Sequence, residues 1–251
     1  MVNHNLNDKV VIVAGGAKNL GGLISREFAK AGAKVLVHFH SDSSKESAVK
    51  TVADINEAGG RAVSFQGDLS KPDTVTALFK AAKSHFGGVD IAVNTVGKVL
   101  RKPIIETTED EYDSMFDINS KTAYFFIKEA GKQLNNNGKI ITIVTSLLAA
   151  FTDGYSTYAG GKAPVEDFTR AAAKEFSSRG ISVTSVGPGP MDTPFFYGQE
   201  TPERVGYHKS QAMGNQLTQV EDIVPIIKFL ATEGWWITGQ TIFANGGYTT
   251  R

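Results

Sequence analysis

Val10-Val11-Ile12-Val13-Ala14-Gly15-Gly16-Ala17-Lys18-Asn19-Leu20-Gly21-Gly22 is the stretch from which the architecture follows. Four β-branched residues and an alanine read as a strand covered on both faces. It runs without a break into a glycine-rich turn, and beyond the turn Leu23, Ile24, Phe28 and Ala31 recur at helical spacing, closed by Gly32. A strand, a tight turn and a helix N-terminus bring backbone N–H groups and the positive end of a helix dipole to one point. That is an arrangement suited to a pyrophosphate. A glycine-rich turn in isolation is as often empty, so the strand before it and the helix after it carry the ligand reading.

The same strand-then-helix rhythm continues outward. Short apolar, β-branched runs predict strands at 9–14, 34–38, 62–66, 91–94, 139–144, 182–186 and 240–244, with helical patterns filling the gaps. Long helices are predicted over 108–134, ended by Asn135-Asn136-Asn137-Gly138, and over 156–179. Alternation of this kind predicts an α/β fold: a single doubly wound domain over 1–251, its seven-stranded, mostly parallel sheet covered by helices on both faces. The stretch 187–214, rich in Pro, Gly and aromatics, is the one irregular segment and is expected to be a substrate loop.

Composition removes several function classes. The chain has 251 residues, 41% of them hydrophobic, with 26 Lys plus Arg against 26 Asp plus Glu. Zero formal charge gives no field to attract nucleic acid. The longest apolar runs fall far short of the ~20 residues that cross a bilayer, so no membrane partner is expected. With no secretory pattern at 1–9 and no cysteine, the expected location is the cytoplasm, and disulfide, thiolate and Cys-zinc chemistry are excluded. His4, His38, His85 and His208 have no ligand-like spacing with a carboxylate. They are expected at the surface or in packing, and no catalytic metal is expected.

The end of the second strand bears on the cofactor. An acid there would bond the adenosine ribose of NAD, whereas its absence beside cations suits the 2′-phosphate of NADP. The residues are His38-Phe39-His40-Ser41. Phe39 stands where the acid would be, His40 and Ser41 follow, and Lys18 can reach the same phosphate, so NADP(H) is the expected cofactor. Lys18 as a solvated turn residue, His40 as a loop histidine and Asp42 as a late acid are the competing readings. Asp68-Leu69 and Asn94-Thr95-Val96-Gly97 stand at the carboxyl ends of the third and fourth strands, where cofactors lie in such sheets, though an Asp or Asn there also caps helices and closes turns.

Tyr158-Ala159-Gly160-Gly161-Lys162 sets a phenol and an ammonium one helical turn apart. A cation within ~4–6 Å favours a phenolate, which brings a tyrosine toward acid/base work at neutral pH. A half-buried Tyr beside a solvated Lys is the plain alternative. Gly160-Gly161 and Pro164 inside the helix weaken it, either to admit a cofactor ribose or a neighbouring helix, or to kink it.

With these parts in order, the sequence resembles the short-chain dehydrogenase/reductase family over nearly its whole length, which implies a Rossmann domain. The match comprises the glycine turn (Gly15, Asn19, Leu20, Gly21), Asp68-Leu69, Asn94 and Gly97, Asn119, the hydroxyls after Ile143, Tyr158 with Lys162, Pro188-Gly189 with Thr193, and Ile237-Thr238-Gly239-Gln240 with Gly246-Gly247. The resemblance implies that Tyr158 is the general acid/base, that Lys162 lowers its pKa and holds the nicotinamide ribose, and that Asn119 supports a proton-relaying water chain. It also implies a substrate-orienting hydroxyl. Counting thirteen back from Tyr158 gives Thr145, the first choice, with Ser146 the alternative, since neighbouring strand residues face opposite sides. Ala14, Asn19 and the Thr95-Val96 pair depart from the usual pattern. The glycine turn and strand-two end look most like the pteridine reductase branch, whose usual Asp is absent at the hydroxyl position.

The expected activity is an NADP-dependent oxidoreductase acting on a small-molecule carbonyl or alcohol, with enoyl reduction disfavoured by the four-residue Tyr–Lys spacing. A catalytically silent NADP-binding sensor or scaffold is the alternative. Phe195, Phe196 and Tyr197 are expected to line an apolar pocket, or else to form loop core. The resemblance implies a homo-oligomer, commonly a tetramer, in which Trp235-Trp236 would be buried between copies or within the chain.

Overall fold

The computed structural model describes residues 5–250; His4, one of the histidines considered above, lies outside them. Seven strands form one sheet: β1 (Val10–Ala14), β2 (Lys34–Phe39), β3 (Arg61–Gln66), β4 (Ile91–Asn94), β5 (Lys139–Ile143), β6 (Ser182–Pro188) and β7 (Gln240–Ala244). Their spatial order is β3-β2-β1-β4-β5-β6-β7, and each neighbouring pair is parallel. The chain runs outward from β1 to β3 and then returns to lay β4 on the other side of β1. The crevice above β1 and β4 is the reversal point at which open α/β sheets take their ligands.

Between the strands lie α1 (Asn19–Lys30), α2 (Lys45–Glu57), α3 (Pro72–Phe86), α4 (Glu109–Phe116), α5 (Thr122–Gln133), α6 (Ser156–Glu175), α7 (Pro194–Tyr197), α8 (Pro202–Ser210) and α9 (Val220–Ala231). Strand alternation divides the core between the two faces. Val11 and Val13 of β1 pack with Ile24 and Phe28 of α1 and Ile223 and Ile227 of α9. Val10, Ile12 and Ala14 pack on the opposite face with Leu78 and Phe79 of α3 and Phe126 of α5. Phe28, Phe79 and Phe126 are fully buried, and truncating any of them to alanine would cost about 3–5 kcal/mol.

Two expectations change. The helix expected over 108–134 is α4 and α5 joined through Asp117–Lys121, which take the wider π pitch. A capping box of Thr108 and Glu111 starts it, and Asn137 near its end adopts φ 63°. The stretch 187–214 is less irregular than expected. β6 extends to Pro188, and prolines open both α7 and α8, where a missing N–H costs nothing. Trp236 is 80% exposed and packs edge-on against Trp235. Among the described residues no helix is long and apolar enough to cross a membrane.

Candidate functional site

The glycine turn leaves no slack. Gly15 has φ 75°, and a Cβ on it would stand 2.6 Å from Thr95 Oγ1; a Cβ on Gly21 would stand 2.1 Å from the Gly15 carbonyl. Asn19 carries φ 48°, which an Asn tolerates better than most residues, and so replaces a glycine there. The turn is held from β2 by His38. The Gly15 N–H donates to His38 Nδ1 at 3.0 Å, and Nε2 lies 2.8 Å from the Gly67 carbonyl. A carbonyl only accepts, so Nε2 carries the proton and Nδ1 is the acceptor. Burial pushes His38 down to about 4, against the opposing pull of the Gly67 bond. Thr95 ties β4 to the turn by donating to the Ala14 carbonyl at 2.8 Å.

Helix α1 presents its first turn with no acidic residue and no side chain capping it, so its N–H groups and dipole remain for an anion. Gly15, Lys18, Asn19, Leu20 and Gly21 line a groove of about 800 Å³ that continues over Gly97 to Thr145, Tyr158, Lys162, Pro188 and Thr193. An adjoining hollow of about 950 Å³ shares Gly15, Lys18 and Gly97 with it and is lined by His40, Asp68 and Leu69. His40 Nδ1 is 3.8 Å from Asp68 Oδ1. Although burial raises the Asp68 carboxyl, the Ser70 hydroxyl and N–H, with His40 and Lys71 nearby, hold it below the usual range. Phe39 stands at the end of β2 where an acid would bond a ribose diol; Asp68, beside His40, is the acid in this lining, and Lys18, His40 and Lys98 bring nitrogen bases to it. This donor set fits a phosphorylated ribose better than a free diol.

Three of the residues expected to bind the cofactor stand outside the lining of the groove and its hollow. Asn94 is buried and accepts the Val96 N–H at 3.0 Å, closing a turn. The Ser41 hydroxyl pairs with Ser43, and Ser44, one helical turn on, lines the hollow instead. Gly189 packs against Thr218 and Asn245. Thr95, Met191 and Phe195 line the groove without having been singled out for it. Thr95 lay within a quoted motif, but only β4 packing beside β1 gives it this place.

Around Tyr158 the geometry discriminates between hydroxyls. Thr145 lines the groove beside Tyr158, its Oγ1 accepting the Leu147 N–H at 3.2 Å, whereas the buried Ser146 hydroxyl donates to the Gly187 carbonyl and accepts from Asn245. Burial pushes Tyr158 up to about 12, with the nearby Thr145 hydroxyl opposing, and pushes the Lys162 ammonium down to about 8. Lys162 Nζ donates to the carbonyls of Ile143 at 2.9 Å and Val96 at 3.2 Å. Asn119 sits in the π-pitch segment. Its amide donates to the carbonyls of Lys98 at 2.8 Å and Met115 at 3.0 Å, and its oxygen accepts the Lys98 N–H. Gly161 makes room for a neighbouring helix, since a Cβ there would meet Asn119 and the Met115 carbonyl at 3.3 Å.

A second, smaller cavity opens from the same Thr145 and Tyr158 and is walled by Met191, Phe195 and Phe196. Its far side is polar. The Tyr155 hydroxyl donates to Glu200 Oε1, His208 Nε2 lies 3.2 Å from that oxygen, and His208 Nδ1 lies 2.9 Å from the Tyr248 hydroxyl. Burial and the Glu200 carboxylate drive Tyr155 far above the usual phenol range, and burial pushes Tyr248 up to about 12. His208 is a packing histidine, buried, with a carboxylate partner eight residues away that its spacing does not announce. Among the described residues no group of three or more His, Asp or Glu side chains is arranged to hold a metal ion.

The chain is similar to several known proteins. A family model described as enoyl-(acyl carrier protein) reductase matches residues 15–249. The chain is 33% identical over 258 residues to an NADPH-dependent aldehyde reductase-like chloroplastic protein of Arabidopsis thaliana, covering 97% of this chain and 95% of that one. It is 34% identical over 254 residues to a short-chain type dehydrogenase/reductase of Picea abies, covering 96% and 93%. A Burkholderia cenocepacia protein described as a dehydrogenase, solved with bound NADP, superposes with a TM-score of 0.97 at 57% identity, covering 100% of this chain and 97% of that one.

Proposed function

The chain belongs to the short-chain dehydrogenase/reductase family, and from that premise we propose that it transfers hydride between NADP(H) and a carbonyl or alcohol, with Tyr158 as general acid/base. The observation that carries this reading is that Thr145 and Tyr158 line both the groove and the apolar cavity, at the junction between them. A substrate in the cavity and a nicotinamide in the groove would meet there.

The bound cofactor would supply or accept the hydride; Lys18, His40 and Ser44 would hold its 2′-phosphate, the first turn of α1 its pyrophosphate, and Lys162 with Thr193 its nicotinamide end. The residues account for the proton. A Tyr158 phenol raised to about 12 is protonated at neutral pH, yet it is still far more acidic than the alcohol being formed. It therefore gives its proton to the substrate oxygen as negative charge develops there. The Thr145 hydroxyl bonds the same oxygen and fixes its direction. Lys162, one helical turn from Tyr158 in the same groove, is anchored by its bonds to Ile143 and Val96, and its positive charge favours the phenolate left after transfer. Asn119 is a positioning residue: it fixes the backbone at Lys98, beside Gly97, whose missing Cβ lets Lys162 Nζ and Asn119 Oδ1 approach. The segment after β6, with α7 and α8, serves as the substrate loop. Although the matching model's description names an enoyl reductase, the Tyr–Lys spacing of four favours the carbonyl reading.

Tyr158→Phe tests the assignment. Carbonyl reduction by NADPH should fall by about a thousandfold, while NADPH affinity, measured by nicotinamide fluorescence, stays within about threefold. Undiminished turnover would refute it. Lys18→Ala should weaken NADPH about fivefold and leave NADH unaltered, narrowing the preference between them.

A further inference from the structure

We infer that the cavity beyond Tyr158 is built for an uncharged, ring-bearing carbonyl compound, and that Glu200 is the residue that excludes anionic ones. The inference rests on the reductase reading above and concerns which members of that substrate class the pocket admits.

Size and lining set the first part. The small, mostly apolar space bounded by Leu147, Met191, Phe195 and Phe196 suits a compact ring rather than an extended carrier. Flat aromatic walls also reward flat apolar ligands with dispersion and edge contacts.

Charge sets the second part. The lining contains one carboxylate, Glu200, and no lysine or arginine. The Glu200 side chain is completely buried. Its Oε1 is taken by Tyr155 and His208, and its Oε2 has no hydrogen-bond partner. The nearest guanidinium, Arg101, keeps Nε 3.8 Å from Oε2, likewise without a hydrogen bond, and spends Nη2 on Asp153. Arg204 is occupied by Asp153 through both terminal nitrogens. His208 uses both ring nitrogens within the wall, toward Glu200 and Tyr248. A substrate carboxylate or phosphate brought here would lose its water, face a buried negative charge and find no free cation. A neutral ketone meets none of these costs. The same chain of bonds links the turn before α6, one helical turn from Tyr158, to α8 and the C-terminal segment, so Glu200 also fixes where the wall stands relative to the phenol.

The test reads binding separately from turnover. Protein loaded with NADP+ is titrated calorimetrically with 1-tetralone and with a tetralone bearing a ring carboxylate, and both ketones are then assayed with NADPH. The neutral ketone should bind at least about tenfold more tightly. Glu200→Gln keeps an oxygen for Tyr155 and removes the charge, and it should shrink that ratio to within about threefold. Should this variant fold poorly, Val99→Lys supplies the missing cation from a half-buried wall position and should raise carboxylate affinity at least about fivefold. Equal affinity for both ketones in the unmodified protein, or a ratio that neither variant moves, overturns the inference. A binding preference without turnover of either ketone overturns the reductase reading and leaves the pocket assignment standing.

Discussion

The two halves of the groove are walled by different kinds of atoms. On the cofactor side the surface is largely backbone: a turn whose glycines cannot carry a Cβ, pinned by His38 from β2 and by Thr95 from β4. On the substrate side the surface is side chain: aromatic rings on α7 and a bonded wall of Tyr155, Glu200, His208 and Tyr248 gathered from four segments. Backbone walls are fixed by the fold and suit a ligand that does not change. Side-chain walls can be recut by substitution without unpinning the sheet, which suits a ligand that differs among relatives.

The contrast can be broken most severely at Gly21. Gly21→Val places carbon against the Gly15 carbonyl and should weaken NADPH binding by at least about a hundredfold in a fluorescence titration. Retained affinity would mean that the turn has slack. His38 comes next. The folded chain takes a proton on this ring only below about pH 4, and the unfolded chain does so below about 6.5. The unfolded state therefore binds more protons in that window, and stability falls as pH is lowered through it, by about 3 kcal/mol in all. Urea unfolding of the native protein should show that slope, and His38→Asn should lack it. At the junction of the halves, Thr145→Val should lower kcat about thirtyfold and Ser146→Ala about an order of magnitude less; equal losses would reopen the choice between the hydroxyls. The smallest effect sharpens the comparison. Phe196→Ala, on the side-chain wall, should change KM for an aromatic ketone about fivefold with NADPH affinity unmoved. A parallel change in NADPH affinity would show that the halves are coupled.

The difference between the halves also explains what could be read before folding. The strands, the glycine turn and the Tyr158–Lys162 spacing are local patterns, so Gly15, Gly21 and Lys162 were visible where they stand. The count from Tyr158 favours Thr145, which lines the groove beside the phenol, while Ser146 is engaged by Gly187 and Asn245. Glu200 and His208 were not visible as partners. Nothing in a spacing of eight marks them, and a lone buried histidine reads as packing. The break between α4 and α5 was hidden for a related reason: hydrophobic spacing reports which face is buried but not whether one turn holds an extra residue.

That extra residue sets the phase of everything after it. Each position in an α-helix turns the next by about 100°, and the wide turn at Asp117–Lys121 absorbs one such step, letting the Asn119 amide close on the Met115 carbonyl and the Thr122 hydroxyl on the Asp117 carbonyl. Deleting one residue between 117 and 121 would let the rod rewind as ordinary α-helix from 109 to 133. Either Asn119 would then swing away from Lys98, or Phe126 and Ile127 would rotate off the sheet. The helix can satisfy its core or its amide in the shorter register, but not both, so its length in this region is as constrained as its composition.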